Sequence, residues 1–386
     1  MSKKFDIVGS FLRPKNLLEI KREIEKRDDI QFPFYNDFEN YEKIEDEAIK
    51  YIVKKQIENG IKTISDGEFS KSLWHLDFVW GLSGVKRFIS KEGYFFRDHD
   101  HKEDDKGSFE TRRDVGIKIV NKLDGSKHHH INIYKKLENY AKGHEIKLCI
   151  PSPSHILGEF YWSKNIDYKE VYDSPKILKD DLIKSYKQFV DEFALNNGKI
   201  LQLDDCLWEI FSSDNHGSPF TGENLKEGIS VAHEFIDINN EIISFAKSKN
   251  LKVWTHNCRG NYRSRYMAEG TYLSIAELFL KKQNYDRFFL EWDDERAGSL
   301  KALDVFKNRD VEVVLGLLSS KTGALDNEER ALEMLGEASN ILGSQKLLLS
   351  HQCGFASCDN GNELTEEAQW AKIKQGIEIA YKFFGE

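Results

Sequence analysis

Residues 174–204 read SPKILKDDLIKSYKQFVDEFALNNGKILQLD and hold one helix and one strand, each with its boundary marked. Ser174 followed by Pro175 suits an N-cap and a first helical position. Leu178, Leu182, Phe189 and Phe193 then mark one helical face, and Gly198 ends it. The next apolar run, 200–203, is short and closes on the acids Asp204 and Asp205. A helix leading into a short strand rich in Ile, Val, Leu and Phe is the repeating unit of a parallel sheet, whose strands are buried on both faces.

Outward from that stretch the unit recurs. Similar runs lie at 5–8, 61–65, 146–150, 251–255, 288–291, 311–315 and 346–350, which makes eight strands with 200–203. Val231, Phe235, Ile238, Ile242 and Phe245 give another helix one apolar stripe, and Trp370, Ile373, Ile377 and Tyr381 mark a last one. Asp326 with Glu329 reads as the capped start of the helix holding Leu332 and Leu335. Eight strands with helices between them, and no glycine-rich phosphate loop after the first, predict an α/β fold of the (β/α)8 TIM-barrel type. Between the second and third strands about 80 residues intervene, far more than a usual connection needs. Residues 79–127 are expected to form an insertion at the barrel mouth, with the displaced helix at 131–141. Within and beside it lie DHDHKEDDKG (98–107) and His128, His129 and His130, which read as solvated loop rather than metal ligands, since ligands need a fixed second shell.

Composition narrows the function classes. The 386 residues are 40% hydrophobic with 6 Pro and 26 Gly, so the chain is globular and not disordered or fibrous. The 56 Lys plus Arg against 65 Asp plus Glu leave a net charge of −9, which argues against nucleic acid and anionic membranes as partners. No apolar run reaches the roughly 20 residues of a membrane helix. The start, MSKKFDIVGS, lacks a signal peptide's apolar core, so a cytoplasmic location is expected. In a reducing compartment the 5 Cys read as thiols, metal ligands or core residues.

In a barrel, side chains just past the strands' C-terminal ends converge on one mouth. Those ends carry Gly9-Ser10-Phe11, Asp66-Gly67-Glu68, Asp204-Asp205-Cys206, His256-Asn257-Cys258, Glu291 and His351-Gln352-Cys353. His256 and Cys258 are two apart and point the same way on extended backbone. With Glu291 and Cys353 they would make a mixed N, S and O set that zinc accepts and that magnesium and calcium do not favour. Each is also an ordinary buried or rim residue when taken singly, and spacing alone does not bring the four together. Zinc in so anionic a set is poorly suited to making hydroxide and better suited to holding a thiol as its thiolate nucleophile.

Val8-Gly9-Ser10-Phe11-Leu12-Arg13-Pro14, Asp66-Gly67-Glu68, Leu201-Gln202-Leu203-Asp204-Asp205, His256-Asn257-Cys258, Glu291 and Gln352-Cys353-Gly354 together resemble the catalytic, C-terminal half of cobalamin-independent methionine synthase, and above all its shorter single-domain relatives. The resemblance runs over nearly the whole chain in the same order. It implies the barrel, zinc held by His256, Cys258, Glu291 and Cys353, and methyl transfer from a methylated folate to the thiol of homocysteine, giving methionine. It also implies that Glu68 and Asp204 take the amino acid's ammonium and that Ser10 with adjacent backbone takes its carboxylate. The family's proposed proton-donor histidine has no counterpart in Leu317-Leu318-Ser319-Ser320-Lys321-Thr322, and Gln352 replaces an acid before the last zinc cysteine. The donor half of the reaction is therefore open to a corrinoid or another small methyl donor, and a non-catalytic zinc or amino-acid binding protein is the rival reading. His351, Asp205 and His75 are candidate proton relays, and Trp74 and Trp162 candidate stacking partners for a pterin, each beside a packed-residue reading.

Overall fold

The computed structural model describes residues 4–35, 37–97, 109–212, 220 and 224–385; DHDHKEDDKG lies outside the described residues. Six strands form one parallel sheet in the ring order Leu347–His351, Glu312–Leu318, Arg287–Glu291, Lys252–Asn257, Ile200–Asp204, Leu148–Pro151. The third barrel position is split, since Glu145–Ile146 precedes Leu148–Pro151 and pairs in parallel with Thr63–Ile64, the second strand. The first position is reduced to a parallel bridge between Phe5 and Leu349, flanked by Asp6 N donating to Leu349 O at 3.0 Å. The ring is thus a (β/α)8 barrel with an insertion after its second strand.

The eighth seam, between the first and second positions, is held mainly by side chains. Thr63 Oγ1 donates to Asp6 Oδ2 at 3.1 Å, Ser65 Oγ to Gly9 O at 2.5 Å, and one backbone bond joins Phe11 N to Gly67 O at 3.1 Å. Asp6 also meets Arg287 at 2.5 Å, and that guanidinium stacks 3.9 Å from the Trp254 ring centroid. The first strand is thus tied in by the Asp6 side chain as much as by its single bridge. Inside the ring Val8, Ile200, Trp254, Phe289, Val314 and Leu348 form their own buried cluster, as a filled barrel requires. Lys147 reaches in beside them, 4.6 Å from the Phe289 centroid, donating to Gln202 Oε1 at 2.8 Å.

The helices follow the apolar stripes, with corrections at their ends. Pro175–Leu195 is capped by Ser174 and buries Leu178, Leu182, Phe189 and Phe193. Glu328–Leu342 is capped by Asn327 and not Asp326, whose carboxylate instead accepts from Ser319 N and pairs with Lys372 at 2.7 Å. On the last helix, Glu366–Phe384, Tyr381 is exposed and lies off the buried face. Among the described residues no helix is long and apolar enough to cross a membrane.

The insertion is built on Ser83–Phe88 paired antiparallel with Gly116–Asp124, with a short Phe95–Phe96 and Phe109–Glu110 pair beyond it. The histidine run is not a solvated tip. His128 caps the helix His129–Tyr140, its ring accepting from His130 N and bonding Phe78 O at 2.9 Å. His128 and His130 are both buried, with the His128 ring stacked on Phe78. Flanking charges made the run look wet, but the cap and the aromatic bed bury it.

Candidate metal and amino-acid site

The ends of the first, second, fourth, fifth and eighth strands meet at a single cavity of about 530 Å³, lined among others by Ser10, Glu68, Asp204, Cys206, His256, Cys258 and Cys353. Residues 92–96 and Thr111 of the insertion line the same cavity. Gly67 and Glu68 both take positive φ (+70° and +60°), a turn locked by Asp66 Oδ1 accepting from Glu68 N at 3.0 Å and by Arg13 donating to Glu68 O at 2.7 Å. A left-handed non-glycine residue is costly and marks a position the surroundings hold in place. The turn aims the Glu68 carboxylate inward, where its oxygen, the Cys149 sulfur and an Asp204 oxygen lie within 4.8 Å of one another.

Lys71 Nζ sits 3.3 Å from Glu68 Oε1 and donates to Cys149 O at 2.6 Å. Burial pushes this ammonium down, but Glu68 and then Asp66 outweigh it and hold Lys71 charged above its usual range. Burial also pushes Asp204 up to about 6, with the Glu68 charge adding to it. Two acids here face Lys71, and the His256 ring lies 3.8 Å from Asp204 on the other side.

Ser10 faces the last loop. Its Oγ accepts from Ala356 N at 3.2 Å and its carbonyl from Phe355 N at 2.9 Å. Gly354 makes this approach possible, because a Cβ there would stand 1.9 Å from Ser10 Oγ.

His256 and Cys258 come together with Cys206, their ligand atoms within 4.8 Å of one another, and Cys353 lines the same cavity. The His256 Nε2 lies 3.2 Å from Gln352 O, and its Nδ1 lies 3.8 Å from Asp204 Oδ1. The sequence alone left Cys206 out of the site, yet its sulfur lies 3.5 Å from that of Cys258. The hydrogen shared with Cys206, with burial, pushes the Cys258 thiol up to about 12. Soft sulfur and imidazole donors crowded in one buried place fit a zinc ion, whose charge would remove the thiol protons.

Glu291 does not line the cavity. Its Oε2 accepts from Arg259 N at 2.7 Å, and its Oε1 faces Arg296 at 3.2 Å and Lys321 at 3.5 Å. Among the described residues its nearest potential ligand group is Asp293 and Asp294.

The relay candidates separate. His351 is packed against Phe5 and Phe355 and pushed down to about 3 by burial, and Asp205 is spent on Ser154, Trp208 and Asn239. His75 lines the cavity and, with His155 and Glu159, forms a buried trio whose Glu159 is pushed up to about 7 by burial. Trp74 and Trp162 line the cavity too, Trp74 lying 4.9 and 4.7 Å from the His75 and His155 rings.

Comparison with known proteins places this geometry. No protein-family model matches the chain. A Listeria monocytogenes protein of known structure, described as a candidate vitamin-B12-independent methionine synthase, is 30% identical over 99% of this chain and 98% of its own, with a TM-score of 0.69. The chain belongs to the cobalamin-independent methionine synthase family. Two uncharacterized Bacillus subtilis proteins, YxjH and YxjG, are each 36% identical to it, over 85% and 86% of their lengths. A Shewanella B12-independent methionine synthase, solved with selenomethionine, shares the fold at 17% identity and a TM-score of 0.70, covering 99% of this chain.

Proposed function

We propose that this protein is a cytoplasmic, zinc-dependent methyltransferase that methylates the thiol of homocysteine to give methionine, with 5-methyltetrahydrofolate as donor. The observation that carries the reading is the meeting, in one cavity, of a sulfur and imidazole cluster with an acid pair and the Ser10 loop. Of the four ligands the family suggests, His256 and Cys258 stand in one group and Cys353 lines the same cavity, whereas Glu291 could serve only by leaving Arg296 and Lys321. When bound, zinc supplies a soft Lewis acid that lowers the pKa of a substrate thiol.

The chain's own residues do the rest. Glu68 and Asp204 receive the ammonium beside Lys71, and Ser10 with neighbouring backbone receives the carboxylate, which points the side-chain sulfur at the cluster. Family membership supports this assignment.

The donor half has less support, because Ser320 and Lys321 are buried beside Gln352 and do not line the cavity. Methionine formation assayed separately with methyltetrahydrofolate, methylcobalamin and S-methylmethionine tests the reading. Turnover with the folate is expected. Turnover with methylcobalamin alone would transfer the same acceptor site to a corrinoid donor. Tight homocysteine binding with no turnover on any donor would make the protein a binder and refute catalysis.

A further inference from the structure

We infer that Cys206 is a direct ligand of the same metal, giving a set of His256, Cys258, Cys353 and Cys206 in which Glu291 takes no part at rest. This rests on the reading of the cluster as a zinc site.

The placement of Cys206 follows from sheet register. In the parallel ladder between the fourth and fifth strands Asp204 stands opposite His256, so two residues further on Cys206 stands opposite Cys258, each on the same side as its predecessor. The backbone between is fixed. Asp205 N donates to His256 O at 2.8 Å, and Asn257 Nδ2 donates to Asp205 O at 2.8 Å. The Asp205 carboxylate is pinned by Ser154 Oγ at 2.6 Å and Trp208 Nε1 at 2.8 Å.

The sulfur separation suits a shared ion. Two sulfurs 3.5 Å apart, each about 2.3 Å from one zinc, subtend an angle near ~100°, within the range of a distorted tetrahedron. All the cysteines are free thiols.

Glu291 is occupied elsewhere. Lys321 is 1% exposed and its Nζ has no hydrogen-bond partner, so the Glu291 carboxylate at 3.5 Å is its principal compensation. Drawing Glu291 to the metal would strand that ammonium in the interior. Cys206 needs no such rearrangement: it already lines the cavity beside Cys258.

The test uses the full chain, as wild type and as Cys206→Ser, Glu291→Gln and Cys353→Ser, each checked for native circular dichroism. Zinc content is measured by elemental analysis, ligation by zinc-edge X-ray absorption, and thiolate count by the sulfur-to-metal charge-transfer band after cobalt substitution. The wild type is expected to show three sulfurs. Cys206→Ser should show two, with the cobalt band reduced by about a third, one thiolate of three, and Glu291→Gln should leave both measures unchanged. A wild type with two sulfurs and an oxygen that Glu291→Gln removes would overturn this inference and leave the zinc site intact. A wild type that takes up no zinc, or zinc that Cys353→Ser leaves untouched, would overturn the underlying reading as well.

Discussion

Replacing Glu68 with glutamine separates two tasks the carboxylate performs. It neutralises Lys71, which is 1% exposed, across 3.3 Å, and it faces the space assigned to the substrate's ammonium. Removing one partner of a buried pair costs about 3–5 kcal/mol when the other is left uncompensated. Lys71 keeps its bond to Cys149 O and the field of Asp66 and Asp204, so the loss of stability belongs at the lower end, about 3 kcal/mol. For the ligand, the lost charge-assisted hydrogen bond is worth about 1.5–3 kcal/mol, or roughly 10- to 150-fold in affinity. Isothermal titration with L-methionine, which offers the same ammonium and carboxylate without a free thiol, reads the second quantity. Urea unfolding reads the first, and elemental analysis should show zinc unchanged, since Glu68 is not among the sulfur and imidazole groups proposed to hold the metal. An affinity for methionine within twofold of wild type, in a variant that is measurably destabilised, would refute the ammonium contact and leave Glu68 only its role beside Lys71.

Cys353→Ser should lose most of its zinc while the barrel stays folded, because the residue lies past a strand end and not in the barrel interior; full zinc content by elemental analysis would contradict the site. Gly354→Ala should drive Ser10 off its position, since the new Cβ would meet Ser10 Oγ at 1.9 Å, and weaken methionine binding at least tenfold by titration with zinc retained; unchanged binding would remove Ser10 from the carboxylate site. Glu45 is buried against Tyr35, and burial raises its carboxyl from an ordinary 4.5 to about 7. With the folded value above the unfolded one, its contribution to stability is complete below pH 4.5 and is lost as pH rises through 7. Glu45→Gln should therefore gain stability relative to wild type between pH 5 and pH 8, seen as a shift in relative urea midpoints; a constant difference would count against a raised Glu45.

Much of the architecture was readable because parallel strands advertise themselves. Runs such as Ile200–Asp204 and Arg287–Glu291 are rich in Ile, Leu and Phe, are buried on both faces and end in an acid. The first strand was placed correctly but overrated: Asp6 in its middle serves Arg287 and Thr63 through its side chain, and only a bridge forms. The histidine run misled because exposure was judged from flanking Lys and Asp, whereas His128 is buried by its cap and by Phe78. Cys206 was missed for a different reason. It sits past the strand on a loop, and only the pairing of Asp204 with His256, which a single sequence does not display, brings it opposite Cys258. Conversely, nothing in Glu291's position announced Arg296 and Lys321 as its partners.

The bridge from Phe5 to Leu349 and the contacts of Ser10 with Phe355 and Ala356 join the two extremes of the chain. During synthesis the leading segment can meet the second strand early, but its bridge to Leu349 waits until the final strand and its loop leave the ribosome. The binding pocket is completed last, in the same event that shuts the ring, so a nascent protein lacking only its C-terminal portion would possess most of its helices and none of its affinity.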